Sequence, residues 1–302
     1  MLPAMVLAAG MGARLRPLSD LVAKPLLTVG DRCALAHVLD RLALGRVDRI
    51  VVNAHHRAGD VRAFVEGCGR AIAVSEEEGL LGTAGGVARA AALLGPGDVF
   101  VWNADVIADI DLDALSGFHA EGAAAATLVV QAAEKGRGPV GVGVRGSIVR
   151  LRTERFGEEI SGGEFVGISV IGERLRQRLP ERGCLVGDAF LPALRAGATL
   201  RAFPYSSTFY DIGTVDRYLA ANLGWLAARG LDHWADGGAQ VAPGVRLDRS
   251  ILGRGSAALG LGPISCCVVL PGARVTAPLA ESVVTLNGAV PSPARGGGAS
   301  LR

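Results

Sequence analysis

No apolar run in this chain is long enough to span a bilayer, and the first residues enter a strand-like segment directly instead of a charged region followed by a cleavable stretch. A soluble cytoplasmic protein with no membrane role is expected. The five cysteines, Cys33, Cys68, Cys184, Cys266 and Cys267, are odd in number, scattered and without metal-ligand spacing. They exclude a disulfide framework and read as small buried hydrophobes. A formal net charge of +2 on 302 residues shows no bias toward nucleic acid. Lysine is nearly absent, occurring only at Lys24 and Lys135 beside abundant arginine. That scarcity makes Lys24 conspicuous, because a compact ammonium reaches a phosphate as a point charge where a broad guanidinium does not fit. Read alone, Lys24 is equally a surface residue before Pro25.

Half of the residues are hydrophobic, enough for a large core domain with an appendage. Apolar runs at Met5 to Ala9, Ile50 to Asn53, Ala71 to Val74, Val99 to Trp102 and Ala125 to Val130 suit strands. Helical patterns lie between them: Leu35, Val38, Leu39 and Leu42, then Val61, Phe64 and Val65, then Val87, Ala91 and Leu94. The alternation predicts an α/β fold, a Rossmann-like mixed, mostly parallel sheet flanked by helices on both faces. Ligands of such sheets lie beyond the carboxyl ends of the strands, which should bring Gly10 and Asp105 together. From Gly136 to Val170 the pattern loosens into strand-like pieces and Gly-rich turns, expected to wall the crevice on the side of a second substrate. The segment FYDIGTVDRYLAANLGWLA at 209 to 227 reads as a strand end, a tight turn at Gly213 and a helix. Thr214 is its expected cap and Val215, Leu219, Leu223 and Leu226 its apolar stripe. The main domain is placed at 1–229.

Over 239–290 the composition changes, and apolar clusters at Ile251, Val268 and Val283 recur after 17 and 15 residues. Val245, Ile251, Val269 and Val275 fall on multiples of six. This predicts a short β-helix-like segment of hexapeptide type, whose exposed rung edges could join copies into a homo-oligomer. Residues 291–302 read as a disordered tail.

The stretch MVLAAGMGARLRPLSDLVAKPLL at 5 to 27 carries the chemistry. After the strand-like run, Ala8, Ala9, Gly10 and Gly12 leave almost no side chain, so backbone N–H groups can approach a phosphate, with Arg14, Arg16 and Lys24 nearby. It is not a Walker loop, lacking the Gly-Lys-Ser/Thr ending, and it lacks the third glycine of the dinucleotide fingerprint. An ordinary Gly-rich turn stays open from the residues alone. Asp105 in WNADV and Asp211 in YDIG each follow a strand; paired they suit Mg²⁺, singly they suit turns or caps. His55 and His56 are adjacent without a second ligand spacing and read as a solvated loop. No serine or cysteine nucleophile has a recognisable partner.

LAAGMGARLRPLSDLVAKPLL, with LLGTAGGVARA at 80 to 90, WNADV at 102 to 106 and YDIGT at 210 to 214, resembles the signature of the sugar-1-phosphate nucleotidyltransferases. The resemblance implies an enzyme that joins an NTP to a sugar 1-phosphate with Mg²⁺, releasing pyrophosphate and leaving a nucleotide sugar. It implies that Ala8, Ala9, Gly10 and Gly12 hold the nucleotide and its phosphates, with Glu77, Gly82 and Thr83 facing the base. Arg14 would contact the leaving pyrophosphate and Lys24 the reacting phosphates. Asp105 and Asp211 would ligate Mg²⁺, and Gly141, Glu164 and Gly167 would line the sugar. The short sugar region and FVGISVI are similar to N-acetylmuramate-1-phosphate uridylyltransferases, whereas LGTAGG and the β-helical end resemble mannose-1-phosphate guanylyltransferases.

Three positions depart from the family pattern. Ala13 replaces a usual Ser or Thr, Ala104 replaces the glycine of Asn-Gly-Asp, and the family's second lysine, commonly within Glu-Lys-Pro and in contact with the sugar phosphate, is missing. Thr153-Glu154-Arg155 and Gly157-Glu158-Glu159 occupy that region. Two rival readings follow: a non-catalytic homologue that binds nucleotide sugar, and a nicotinamide-binding oxidoreductase, which the incomplete fingerprint disfavours.

Overall fold

The structure, a computed structural model, describes residues 1–45 and 47–292. Of the tail expected over 291–302, all but the first two residues lie outside the described residues. The chain divides into two compact units that interleave in sequence: Met1–Met11 with Leu35–Phe209, and Gly12–Ala34 with the chain from Tyr210 onward.

In the first unit, strand β1 (Leu2–Leu7) pairs in parallel with β2 (Val47–Ala54) and β4 (Val99–Asn103), and β2 pairs in parallel with β3 (Ile72–Glu76). Ala4, Met5 and Val6 are wholly buried, as a strand covered on both faces requires. Helix α1 (Ala34–Leu44) buries the predicted stripe of Leu35, Val38, Leu39 and Leu42, and α2 (Ala58–Gly67) buries Val61 and Val65. The third pattern is broken: α3 (Gly82–Arg89) ends before Ala90, a separate turn of helix runs from Ala91 to Leu94, and Ala91 is exposed.

Where the sequence pattern loosens, the sheet turns antiparallel. Strand β8 (Ser161–Ile171) pairs antiparallel with β4, with β5 (Ala126–Ala133) and with β6 (Val140–Val142). Strand β7 (Ile148–Leu151) continues beyond β6 in the same sense, and β9 (Leu200–Tyr205) runs parallel to β5 at the other edge. Helix α4 (Leu112–Gly122) is capped by Asp111, whose carboxylate accepts the Ala114 N–H at 2.9 Å.

The second unit contains the expected solenoid. Trp234 in β10 (His233–Ala235) lies opposite Ile251 in β11 (Ser250–Leu252), Ile251 opposite Val268 in β12 (Val268–Val269), and Val268 opposite Val283 in β13 (Ser282–Thr285), all in parallel. The intervals read from the sequence are therefore the rung steps. The hexad reading is corrected: Val269 lies opposite Leu252, not Ile251, because this rung of 17 residues is one short of three hexads and the next, of 15, is three short. Leu252, Val269 and Val284 enter the solenoid core with Val245, Ala258 and Val275. Ile251, Val268 and Val283 occupy the opposite face of the same strands and are buried too.

Helix α5 (Val215–Ala227) packs on β13, and its Trp225 meets Trp234 edge to face at 6.0 Å between ring centroids. On another side α5 holds the segment Gly12–Ala34. Tyr218 donates its hydroxyl to the Thr28 carbonyl at 2.7 Å, and Asn222 Oδ1 accepts the Gly30 N–H at 2.9 Å. Burial pushes the Tyr218 phenol up to about 12, so it remains a donor. Gly30 is in the left-handed region at φ +65, and a Cβ there would lie 2.1 Å from the Trp225 ring. The predicted stripe of α5 thus misses its most specific members, Tyr218, Asn222 and Trp225. Thr214 stands at the N-cap position as expected and its carbonyl accepts the Tyr218 N–H at 2.8 Å, but its hydroxyl donates to the Asp216 carboxylate instead of accepting a main-chain N–H.

Cys33, Cys266 and Cys267 are buried, whereas Cys68 and Cys184 are half-buried, and all five are free thiols. Among the described residues no helix is long and apolar enough to cross a membrane.

Candidate functional site

The carboxyl ends of β1, β2 and β3 are tied together by a buried polar relay. Asn53, 2% exposed at the end of β2, accepts the Ala8 N–H on Oδ1 at 2.7 Å and donates through Nδ2 to Glu77 Oε1 at 2.6 Å. Glu77, 5% exposed just past β3, accepts the Leu81 N–H on Oε2 at 3.0 Å, and its carbonyl lies 2.9 Å from His55 Nδ1. A carbonyl only accepts, so His55 donates through Nδ1. Three loops are thereby fixed by two side chains. The relay needs room, and Gly86 provides it: a Cβ there would sit 2.6 Å from Asn53 Nδ2 and 2.9 Å from Glu77 Oε1.

This corrects two expectations. The Ala8 N–H is spent on Asn53 rather than offered to a ligand, and His55 belongs to the relay rather than to a solvated loop. Asn53 itself was missed; its signal was a lone amide closing an apolar strand, where a buried polar side chain needs partners.

Gly82 and Thr83 open α3 and anchor a distant segment. The Leu185 N–H donates to Thr83 Oγ1 at 2.8 Å, the Ala84 N–H to the Gly183 carbonyl at 2.9 Å, and a Cβ on Gly82 would lie 2.4 Å from that carbonyl. The Thr83 hydroxyl keeps its own proton to donate.

At the end of β1, Ala9 is buried, while Gly10 is exposed with open space where a Cβ would stand. The Ala104 N–H donates to the Leu7 carbonyl at 3.0 Å, which brings the Gly-rich loop and the Asp105 turn to one edge of the sheet as predicted. Ala104 is not among the residues with positive φ, so the backbone does not demand the family's glycine. Trp102 Nε1 donates to the Val106 carbonyl at 2.9 Å and closes the turn, leaving Asp105 half-buried. Gly167, at φ +89, faces the Asn103 amide, and Glu164 is exposed on β8. Gly141 is displaced from the sugar set: it is buried, and the space beside its Cα is filled by Arg150 and Glu159.

The remaining candidates belong to the second unit. Gly12, at φ +63, has Ser19 and Lys24 Cβ atoms 3.0 and 3.4 Å from where its own Cβ would be, so the left-handed turn draws Lys24 against the loop. Arg14 is exposed and converges with Asp211 on Gly213, where a Cβ would lie 3.3 Å from Arg14 Nη2 and 2.8 Å from Asp211 Oδ1. The Asp211 carboxylate accepts the Gly213 N–H at 2.7 Å and pairs with Arg217 Nη1 at 2.6 Å. Among the described residues no group of three or more His, Cys, Asp or Glu could hold a metal. Mg²⁺ does not require one, since one or two carboxylates and substrate phosphates suffice.

A mixed sheet flanked by helices, with Gly-rich turns and the Asp105 turn at the carboxyl ends of its parallel strands, places the first unit among the α/β proteins that bind their ligands at that edge. The chain belongs to the nucleotidyl transferase family, whose model matches residues 3–227. It is 28% identical over 235 residues to a mannose-1-phosphate guanyltransferase of Aspergillus fumigatus, an alignment covering 74% of this chain and 64% of that protein. It is 44% identical over 110 residues to an N-acetylmuramate alpha-1-phosphate uridylyltransferase of Caulobacter vibrioides, covering 34% of this chain and 46% of the relative. Among solved structures, HddC from Yersinia pseudotuberculosis complexed with GMP-PN matches with a TM-score of 0.63 at 19% identity, over 74% of this chain and all of that one. That likeness shows the fold.

Proposed function

We propose that this protein transfers a nucleoside monophosphate from an NTP to a sugar 1-phosphate, and that it acts as a mannose-1-phosphate guanylyltransferase. The observation that carries the reading is the relay from Ala8 through Asn53 and Glu77 to Leu81. It holds three strand ends rigidly beside the Asp105 turn, at the edge where α/β sheets bind nucleotides. In the reaction a phosphate oxygen of the sugar 1-phosphate attacks the α-phosphorus in line, and the bond to pyrophosphate breaks. The nucleophile is already anionic, so catalysis rests on positioning and charge neutralisation instead of a general base. Arg14 takes the leaving pyrophosphate and Lys24 the reacting phosphates; Glu77 and the Gly82–Thr83 turn shape the base end, and Glu164 and Gly167 the sugar end. By the family signature Asp105 and Asp211 would hold Mg²⁺, each as a hard oxygen donor, and Arg217 shares the Asp211 carboxylate. Bound Mg²⁺ supplies positive charge to the phosphate oxygens.

The stronger local identity to an N-acetylmuramate uridylyltransferase supports a second reading, UTP with N-acetylmuramate 1-phosphate. Pyrophosphate release across GTP, UTP, dTTP, ATP and CTP, crossed with mannose, glucose, N-acetylglucosamine and N-acetylmuramate 1-phosphates, decides between them. Release with GTP and mannose 1-phosphate is expected. Nucleotide binding without release for any pair would leave the non-catalytic homologue. We also propose association of copies through the solenoid; a monomer by light scattering across micromolar concentrations would refute it.

A further inference from the structure

Glu159, in the region where the family's second lysine would stand, forms a buried ion pair with Arg150 of β7. Arg150 is 7% exposed and Glu159 3%. The guanidinium grips the carboxylate at both ends, Nε to Oε2 at 2.8 Å and Nη2 to Oε1 at 2.9 Å. Its remaining donors go to the main chain: Nη1 to the Gly138 carbonyl at 2.8 Å and Nη2 to the Val140 carbonyl at 3.3 Å. Glu159 Oε1 also accepts the Gly136 N–H at 2.8 Å. Apart from a bond from Nη1 to the Arg152 carbonyl at 3.3 Å, these contacts all fasten one stretch of backbone, residues 136 to 140.

Glycines let that stretch lie flat on the start of β8. A Cβ on Gly138, at φ +68, would be 2.2 Å from the Gly163 carbonyl, and one on Gly162 would be 2.2 Å from the Arg137 carbonyl. The Gly163 N–H donates to the Arg137 carbonyl at 3.2 Å. The stretch therefore meets β8 at Gly163, next to Glu164, and it carries the exposed Arg137, with the exposed Lys135 directly before its first tethered residue, Gly136. A Gly-rich surface loop is floppy when untethered. A buried ion pair is a poor source of stability compared with an apolar replacement, so its use here points to fixing a geometry.

We infer that Arg150 and Glu159 are a positioning pair that holds Lys135 and Arg137 in place to bind the phosphate of the acceptor. This rests on the transfer reaction proposed above and supplies the cations that the missing lysine would have provided. Neither member of the pair touches substrate.

The test begins with the Lys135→Ala/Arg137→Ala double variant, whose changes are on the surface and leave the fold intact. In pyrophosphate-release kinetics with GTP and mannose 1-phosphate, KM for the sugar phosphate rises at least about tenfold, the worth of one charge-assisted hydrogen bond, while KM for GTP and kcat hold. Glu159→Gln raises the same KM without altering either cation and speeds amide exchange at Gly136 and Gly163; Glu159→Asp, which keeps the charge, restores part of the affinity. An unchanged acceptor KM in the double variant overturns the inference, as does a loosened loop in Glu159→Gln with wild-type acceptor KM. Should the wild type release no pyrophosphate, the reaction reading falls by itself. Calorimetry with mannose 1-phosphate and with inorganic phosphate then judges the loop, and equal affinities in wild type and double variant overturn it.

Discussion

The sheet unit and the solenoid both stack parallel strands over an apolar core, yet they use buried polar groups differently. In the sheet unit Asn53 and Glu77 lie under the strand ends, and each bridges loops far apart in sequence, as Asn53 does from Ala8 to Glu77. In the solenoid Ser250 accepts the Cys267 N–H at 3.0 Å and Ser282 reaches back to the Ala280 carbonyl at 2.8 Å. Those serines close corners and join a rung to the next. A buried polar group that ties several loops at an open edge marks where geometry is used, whereas one that repeats with the rung marks how the unit is built.

Removing a charge at the open edge gives the largest contrast. Asp105→Ala is expected to lower kcat for pyrophosphate release by about 10²–10³-fold or more, with Tm close to wild type, because the side chain is half-buried in a turn rather than in the core. Wild-type turnover would remove Asp105 from the metal assignment. Glu77→Ala comes next. It leaves the Asn53 amide and the Leu81 N–H without their acceptor, a loss of about 1–3 kcal/mol in denaturant unfolding, together with a fall in kcat/KM. Equal kinetics would reduce the relay to scaffolding.

A cut in the solenoid core should behave in the opposite way. Leu252→Ala empties a wholly buried site and is expected to destabilise by about 2–5 kcal/mol, with the activity of the folded fraction unchanged. A parallel loss of kcat at full folding would show that the rungs do more than support. The smallest effect concerns acid. Arg150, then the Gly136 N–H, hold the Glu159 carboxyl down at about 2 from its ordinary 4.5. A depressed carboxylate stabilises the fold above its unfolded value, and that contribution is lost as pH falls from about 4.5 toward 2. Glu159→Gln should flatten the unfolding curve over that window, measured by urea titration at stepped pH; an unaltered slope would deny the pair its linkage.

Much of this was legible in advance. The parallel strands, the helical stripes of α1 and α2, and the 17- and 15-residue recurrence at Ile251, Val268 and Val283 all came from local periodicity, which burial on one face or two imposes directly. The Gly-rich loop and the Asp105 turn came from residue type. Asn53 escaped because a lone amide closing an apolar run signals a need for partners without naming them, and Gly141 was misread because the ion pair that fills its space comes from β7 and the loop before β8. The helix stripe of α5 named leucines and overlooked Tyr218, Asn222 and Trp225, whose value depends on what they meet.

The sequence by itself determined the class of fold, the family signature and the rung repeat, since each is written in spacing that neighbouring residues enforce. Only the tertiary structure decided that Gly12–Ala34, the signature segment with Arg14 and Lys24, folds with the solenoid and α5 instead of with the strand it follows. The bonds responsible, Tyr218 to Thr28 and Gly30 to Asn222, join residues 190 and 192 positions apart. No local pattern encodes a partner at that distance, because such a pairing depends on loop closure and packing of the whole chain.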